Sequence, residues 1–184
     1  MIYTFIPYSI EKNLGKAYNQ CLDLLPNDND FAVLLDHDAC FTTYNWYKQL
    51  NGITNKYTEC GCFVSMTNRI GCEWQRLYTP DSENWNNNDI YTHRIAGAEL
   101  YANYYDDIKD VSKVDRGKVL GGVMILIKKS IWKKVGGFKE KGILGIDNQL
   151  HWDLMDIDEK VYLMKGVYLY HFYRGETNDK SHLL

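Results

Sequence analysis

Apolar residues along the chain follow two rhythms. Short unbroken or alternating runs predict strands over residues 2–7 (IYTFIP), 31–35 (FAVLL), 60–67 (CGCFVSMT) and 121–129 (GGVMILIKK). Between them the apolar spacing lengthens to three and four, the period of a helix with one buried face. Leu14, Ala17, Tyr18, Cys21, Leu22 and Leu25 predict a first helix, broken by PNDND at 26–30. Thr42 or Thr43 is placed to cap a second, which buries Trp46, Tyr47 and Leu50. Tyr91, Ile95, Ala98, Ala102, Tyr105 and Ile108 predict a long third helix. Residues 130–138 (SIWKKVGGF) predict a short helix stopped by Gly136 and Gly137, and Leu150, Leu154 and Ile157 one face of a last helix. The polar stretch 78–90 predicts a loop, and residues 160–174 two strand-like pieces around Lys165-Gly166. Strands alternating with helices predict an α/β protein with a largely parallel sheet. With no repeat, linker or low-complexity tail, the expectation is a single domain over residues 1–184.

The run FAVLLDHDACF at 31–41 adds chemistry to this pattern. Alternation in an extended segment puts Asp36 and Asp38 on one face and His37 on the other. Two like charges on one face are unfavourable unless a cation lies between them, and carboxylate oxygens suit a hard divalent cation. The plainer alternative is a solvated acidic turn. In parallel α/β sheets, ligands bind beyond the carboxyl ends of strands, which is where these acids fall.

Composition narrows the classes. The formal net charge is −3, with no basic run to suggest a nucleic-acid groove. No apolar stretch approaches the ~20 residues of a membrane span, and the N-terminus lacks the charged and apolar regions of a signal peptide. These features predict a cytoplasmic protein, or a domain of a larger chain. Cys21, Cys40, Cys60, Cys62 and Cys72 are odd in number and form no zinc pattern, which predicts buried free thiols.

Three segments in order carry a resemblance: the strand ending in Asp36-x-Asp38, then GGVMILIKKSIWKKVGGFKEKGILGIDNQLH, then GVYLYHFYRG. With EKNLGKAYN ahead of them, this order resembles the family 2 type of GT-A glycosyltransferases over residues 2 to about 174, in a compact form lacking one early strand–helix unit. The resemblance implies a Rossmann-like sandwich in which Asp36, Asp38 and His171 hold Mn2+ or Mg2+. It implies donor contacts from Pro7, Tyr8, Ser9, Asn13, Lys16, Asn19 and Asp36. Contacts to the sugar or acceptor would come from Asn68, Arg69, Gly121, Gly122, Asn148 and His151.

Chemistry supplies a parallel argument. A helix starting near Asn13 offers backbone N–H groups to a diphosphate, and Lys16 a cation or simply a solvated lysine. Asp147, opening the last helix, suits a general base that takes the proton of an acceptor hydroxyl, or else an N-cap. His151, one turn on, shares its face and is placed to line the acceptor side. His93 is expected at the surface, and Trp74, Trp85 and Trp152 in the core or on sugar faces. The expected activity is a metal-dependent, inverting transfer from a nucleotide-diphosphate sugar, a UDP-sugar first. The acceptor would be a glycan, lipid-linked sugar, protein or modified nucleic acid. The alternatives are a nucleotidyltransferase and a non-catalytic nucleotide-sugar-binding module.

Overall fold

The computed structural model describes residues 1–77 and 88–172. In chain order the elements are β1 (Ile2–Phe5), α1 (Leu14–Asp23), β2 (Phe31–Leu35), β3 (Ala39–Phe41), α2 (Trp46–Lys56) and β4 (Cys62–Thr67). A 3-10 turn (Glu73–Gln75), α3 (Ile90–Tyr104), β5 (Ile108–Asp110), β6 (Met124–Lys128), α4 (Lys129–Lys134), α5 (Ile146–Asp156) and β7 (Val161–His171) follow. The strands form one sheet in the order β1-β2-β6-β4-β7-β3, and β5 also pairs with β7.

The α/β class holds, but the sheet is mixed. β1–β2 and β4–β7 pair in parallel, while β6 runs antiparallel to both β2 and β4. β3 and β5 are antiparallel to β7. Three of the four central strands thus share a direction and β6 is reversed. A strand buried on both faces has the same apolar run in either direction, so the sequence does not reveal the reversal. Its consequence is positional: the C-terminal ends of β2, β4 and β7 meet the N-terminal end of β6 at one end of the sheet.

Alternation along the central strands sorts side chains to two cores. Ala32, Leu34, Ile125 and Ile127 pack under Tyr18 and Leu22 of α1, Trp132 of α4, and Leu150 and Leu154 of α5. Val33, Leu35, Met124 and Leu126 pack against Leu50 and Ile53 of α2. Met124, Ile125, Leu126 and Ile127 are all fully buried, each worth about 1.5–3 kcal/mol of transfer free energy.

Several expectations are corrected. The residue at the α2 N-cap is Asn45, with no side-chain bond. Thr42 instead donates its hydroxyl to the Tyr168 carbonyl (2.8 Å). Tyr47 is 43% exposed, and Gln49 takes the buried position by donating to the Tyr105 and Gly166 carbonyls (2.7 and 2.9 Å). On α3, Tyr91 and Ile95 face solvent at 71% and 62% exposure, and His93, Ala96 and Gly97 face β7. Small residues win there because the helix lies close: a Cβ at Gly97 would collide with the Thr42 hydroxyl and touch Tyr168. β7 is one strand, with Lys165-Gly166 at a register shift opposite Ser65/Met66. The predicted 78–90 loop falls mostly outside the described residues; α3 opens at Ile90 behind an Asp89 cap. Among the described residues no helix is long and apolar enough to cross a membrane.

Candidate functional site

The end of β2 is fixed by its neighbour: the Asp36 amide donates to the Val123 carbonyl at 3.0 Å. A turn closed by Ala39 N–H on the Asp36 carbonyl (3.1 Å) then delivers the chain to β3, where Ala39 stands opposite His171. The Phe172 amide donates to the Asp38 carbonyl (2.9 Å). Asn68, just past β4, extends the sheet with its side chain. It accepts from the His171 amide (2.7 Å) and donates to the His171 carbonyl (3.0 Å).

These constraints bring Asp36, Asp38 and His171 together. One ligand atom from each lies within 4.8 Å of the other two, and all three residues are half-buried. Among the described residues this is the one such group of His, Cys, Asp or Glu able to share a metal ion. The imidazole is oriented as a ligand would be. Its Nδ1 lies 2.7 Å from the Arg69 carbonyl, which only accepts, so Nδ1 carries a hydrogen and Nε2 faces the acids, 3.3 Å from Asp38 Oδ1. Burial alone pulls the His171 pKa down. The hydrogen bond to Asp38, the Arg69 carbonyl and the charges of Asp38 and Asp36 outweigh it, so the net shift is upward. Two carboxylates and an imidazole that can shed its Nε2 proton form a donor set that could hold a divalent cation. His37 is exposed and takes no part.

Asp147 sits in the first turn of α5, inside the N-cap rather than at it. The N-cap is Gly145, in left-handed backbone (φ 75°) that suits a glycine. Asp147 Oδ1 accepts from the Asn148 amide (2.9 Å), and the Gly122 amide lies close enough to favour the ionised carboxylate. Burial pushes the carboxyl pKa up, with those amides pulling part of the way back. Gly122 is tight against it: a Cβ would lie 3.1 Å from Asp147 Cβ and 3.3 Å from its Oδ2, so the Asp147 side chain would have to give by a few tenths of an ångström. Consecutive residues thus meet the two acids: Val123 accepts from the Asp36 amide and Gly122 packs against Asp147. Tyr18 is 3% exposed and senses the charge of both acids. Burial first, then the charges of Asp36 and Asp147, push its hydroxyl pKa up, so it stays a donor.

The other expected residues divide. At the start of α1, Asn13 is the N-cap and accepts from the Lys16 amide (3.0 Å). Ser9 Oγ accepts from the Asn13 amide (2.9 Å), and the Leu14 amide donates to the Gly142 carbonyl (2.9 Å). These helix-entrance amides are therefore engaged within the protein. Lys16 pairs with Glu11 at 2.8 Å, and Tyr8, beside Pro7, is 81% exposed. Asn19 ties α1 to the turn after α4. Its Oδ1 accepts from Trp132 Nε1 and the Phe138 amide (both 2.8 Å), and its Nδ2 donates to the Phe138 carbonyl (3.0 Å) and Glu140 (3.1 Å). The side chain of Asn19 thus serves as a structural tie.

The expectation for His151 is corrected. It is fully buried, its Nδ1 accepts from the Leu120 amide (2.9 Å) and its Nε2 donates to the Val111 carbonyl (3.1 Å), so it does not line an acceptor surface. Burial also lowers its pKa, which keeps it neutral. His93 is fully buried rather than at the surface, with Nδ1 2.9 Å from the Tyr168 hydroxyl. Asn68 and Arg69 act first on His171, the latter through its carbonyl, and Arg69 Nη1 also donates to the Phe172 carbonyl (3.3 Å). Gly121 is buried and Asn148 half-buried beside Asp147. Trp74 and Trp152 donate their indole N–H groups to the Lys118 (2.7 Å) and Arg116 (3.0 Å) carbonyls. Trp85 and Tyr173 lie outside the described residues. All five cysteines are free, and burial pushes the Cys62 and Cys72 thiols up to about 12 and about 11.

Two participants escape the sequence. Tyr18 carries only the signal of a core residue. Gln75, fully buried behind Gly121, carries none. No protein-family model matches the chain, and comparison with curated proteins gives no match either.

Proposed function

We propose that the chain is a metal-dependent glycosyltransferase of the GT-A type, moving a sugar from a nucleotide-diphosphate donor to an acceptor hydroxyl with inversion. The observation that carries this reading is the convergence of Asp36, Asp38 and His171 from separate strand ends, with Asp147 packed against Gly122, next to the Val123 that supports Asp36. Asp36, Asp38 and His171 would hold the divalent cation, which when bound neutralises charge on the diphosphate leaving group. Asp147 takes the acceptor proton. The hydroxyl oxygen bonds to the sugar carbon as the bond to the diphosphate oxygen breaks. A carboxyl whose pKa is raised by burial is a stronger base than an ordinary aspartate, which suits that task. Tyr18, kept protonated by burial and by the charges of Asp36 and Asp147, adds a neutral hydroxyl to the same region.

Nucleotide-sugar donors, UDP-sugars first, incubated with and without Mn2+ test the proposal by release of the nucleoside diphosphate. The expected result is metal-dependent release, lost in Asp38→Asn while the fold persists. Failure of every donor to bind by calorimetry, with or without metal, rejects the reading. Binding without turnover, by an otherwise intact protein, favours the non-catalytic module.

A further inference from the structure

The Gly121–Gly122 backbone beside Asp147 has no strand partner on its β4 side among the described residues. β6 pairs with β4 through Cys62↔Ile127, Phe63↔Leu126 and Val64↔Ile125, and residues 121–123 run on past the last of these pairs. The space between Gly121 and Ser65 is occupied by the fully buried side chain of Gln75. Gln75 Oε1 accepts from the Gly121 amide at 2.7 Å. Its Nε2 donates to the Gly121 carbonyl and to the Ser65 carbonyl, both at 3.2 Å. The carboxamide thus does for Gly121 what a neighbouring strand would do, and ties it to β4.

The Gly121 carbonyl and the Gly122 N–H belong to one planar peptide unit, so fixing one fixes the direction of the other. Gly122 lies against the Asp147 side chain, a Cβ built on it standing 3.1 Å from Asp147 Cβ and 3.3 Å from Oδ2, and its amide pulls the carboxyl pKa down. On its other side Gly121 is closed in, since a Cβ there would collide with the Ile70 side chain. We propose that Gln75 is a positioning residue: by gripping both polar groups of Gly121 it aims the Gly122 N–H at Asp147 and sets the orientation and basicity of that carboxylate. A hydrogen bond at the carbonyl end of a peptide also polarises its N–H, which adds to the grip. The groups facing Asp147 from other segments are the Tyr18 hydroxyl of α1 and the Cys72 thiol, both pushed up by burial and therefore neutral through the acid range.

Only the kinetic consequence rests on the transferase reading, so the test has two arms. In the first, the carboxyl carbon of Asp147 is titrated by NMR in metal-free protein, and exchange of the Gly122 amide is measured. Gln75→Leu should raise the Asp147 midpoint by about half a pH unit or more, as loss of a donor to the charged form requires. It should also speed Gly122 exchange by about tenfold or more. Gln75→Asn, whose shorter amide cannot span Gly121 and Ser65, should move both in the same direction and carries the test if the leucine variant does not fold. Thr54→Val on α2, which removes a buried hydroxyl bonded to the Leu50 carbonyl (3.0 Å) on the other core, controls for general destabilisation. An unchanged Asp147 midpoint in the Gln75 variants, or an equal change in the Thr54 variant, overturns the proposal. In the second arm, transfer by Gln75→Asn should show kcat down about tenfold with donor KM unchanged. Absence of any transfer by the wild-type protein rejects the transferase reading, while the NMR arm still decides the role of Gln75.

Discussion

If Asp36, Asp38 and His171 hold a divalent cation as proposed, metal binding and protonation compete for one nitrogen of His171. Its Nδ1 hydrogen is fixed on the Arg69 carbonyl, so the proton that comes and goes is on Nε2, the atom facing Asp36 and Asp38. The raised pKa means that in metal-free protein the imidazolium persists above the ordinary histidine value of about 6.5. A metal ion at this site must displace that proton. Apparent Mn2+ affinity should therefore fall tenfold for each pH unit below the His171 pKa, about 1.4 kcal/mol per unit. Calorimetry in buffers of differing ionisation enthalpy should register release of close to one proton per ion in that range, declining to none above it. His171→Gln should weaken binding by at least about tenfold and flatten the pH slope. Stability should respond with opposite signs. The folded pKa is raised, so the imidazolium–Asp38 pair stabilises metal-free protein fully below the unfolded histidine pKa, and that contribution is lost as pH rises through the folded value. Tm of the metal-free form should fall over this window while Mn2+ protection grows. Mn2+ affinity independent of pH, with no proton release, would refute the assignment of His171 as a ligand.

Asp147→Asn should cut transfer by about a hundredfold or more with donor binding retained, and abolish the acid limb of the rate profile, which in wild type is shifted up from the ordinary aspartate value by burial. Because burial raises the Asp147 pKa, its ionisation opposes folding; the Asn variant should have a higher Tm than wild type near neutral pH and no advantage in acid, as thermal denaturation across pH checks. Asn19→Ala should lower stability by about 2–4 kcal/mol, since it strands the Trp132 and Phe138 N–H groups, yet leave donor affinity nearly unchanged in the folded fraction, as calorimetry below its Tm measures. Gly97→Ala should destabilise by about 1–3 kcal/mol without touching Mn2+ affinity, because the Thr42 hydroxyl it meets is fixed on Tyr168; chemical denaturation reads the loss.

Where local pattern and tertiary demand agree, the sequence is a good guide. The stripe of α1, the apolar runs of β2, β4 and β6, and the GGF stop after α4 all lie where their periodicity puts them. Gly136 and Gly137 indeed adopt positive φ (80° and 81°). β3 and β5, three residues each, are too short for a period to show. α3 misleads because the apolar stripe is not the buried one; close approach to β7 selects Gly97 and Ala96 over Tyr91 and Ile95. The acids of the site are legible because two carboxylates ending an apolar strand are chemically unusual. His151 and His93 are not, since a histidine in the core and one at a ligand site differ only in what surrounds them. Gln75 is the extreme case: its role depends on a carbonyl ten residues away and a peptide forty-six away, which no local pattern encodes.

The reversed central strand also orders events in time. β2 is flanked on one side by β1, close in sequence, but on the other by β6, whose Met124 pairs with Leu35. At synthesis rates of about 5–20 residues per second, the inner edge of FAVLL waits roughly 5–20 s for its partner. Until then its unpaired amides and carbonyls form an open template beside an apolar surface. The pairing is also strongly non-local, which slows folding after release. His171 arrives last of all, so the three-residue cluster does not exist in any partly folded form lacking β7. Recovery of Mn2+ binding during refolding should accordingly trail the return of helical signal, making the ion a reporter of the finished sheet.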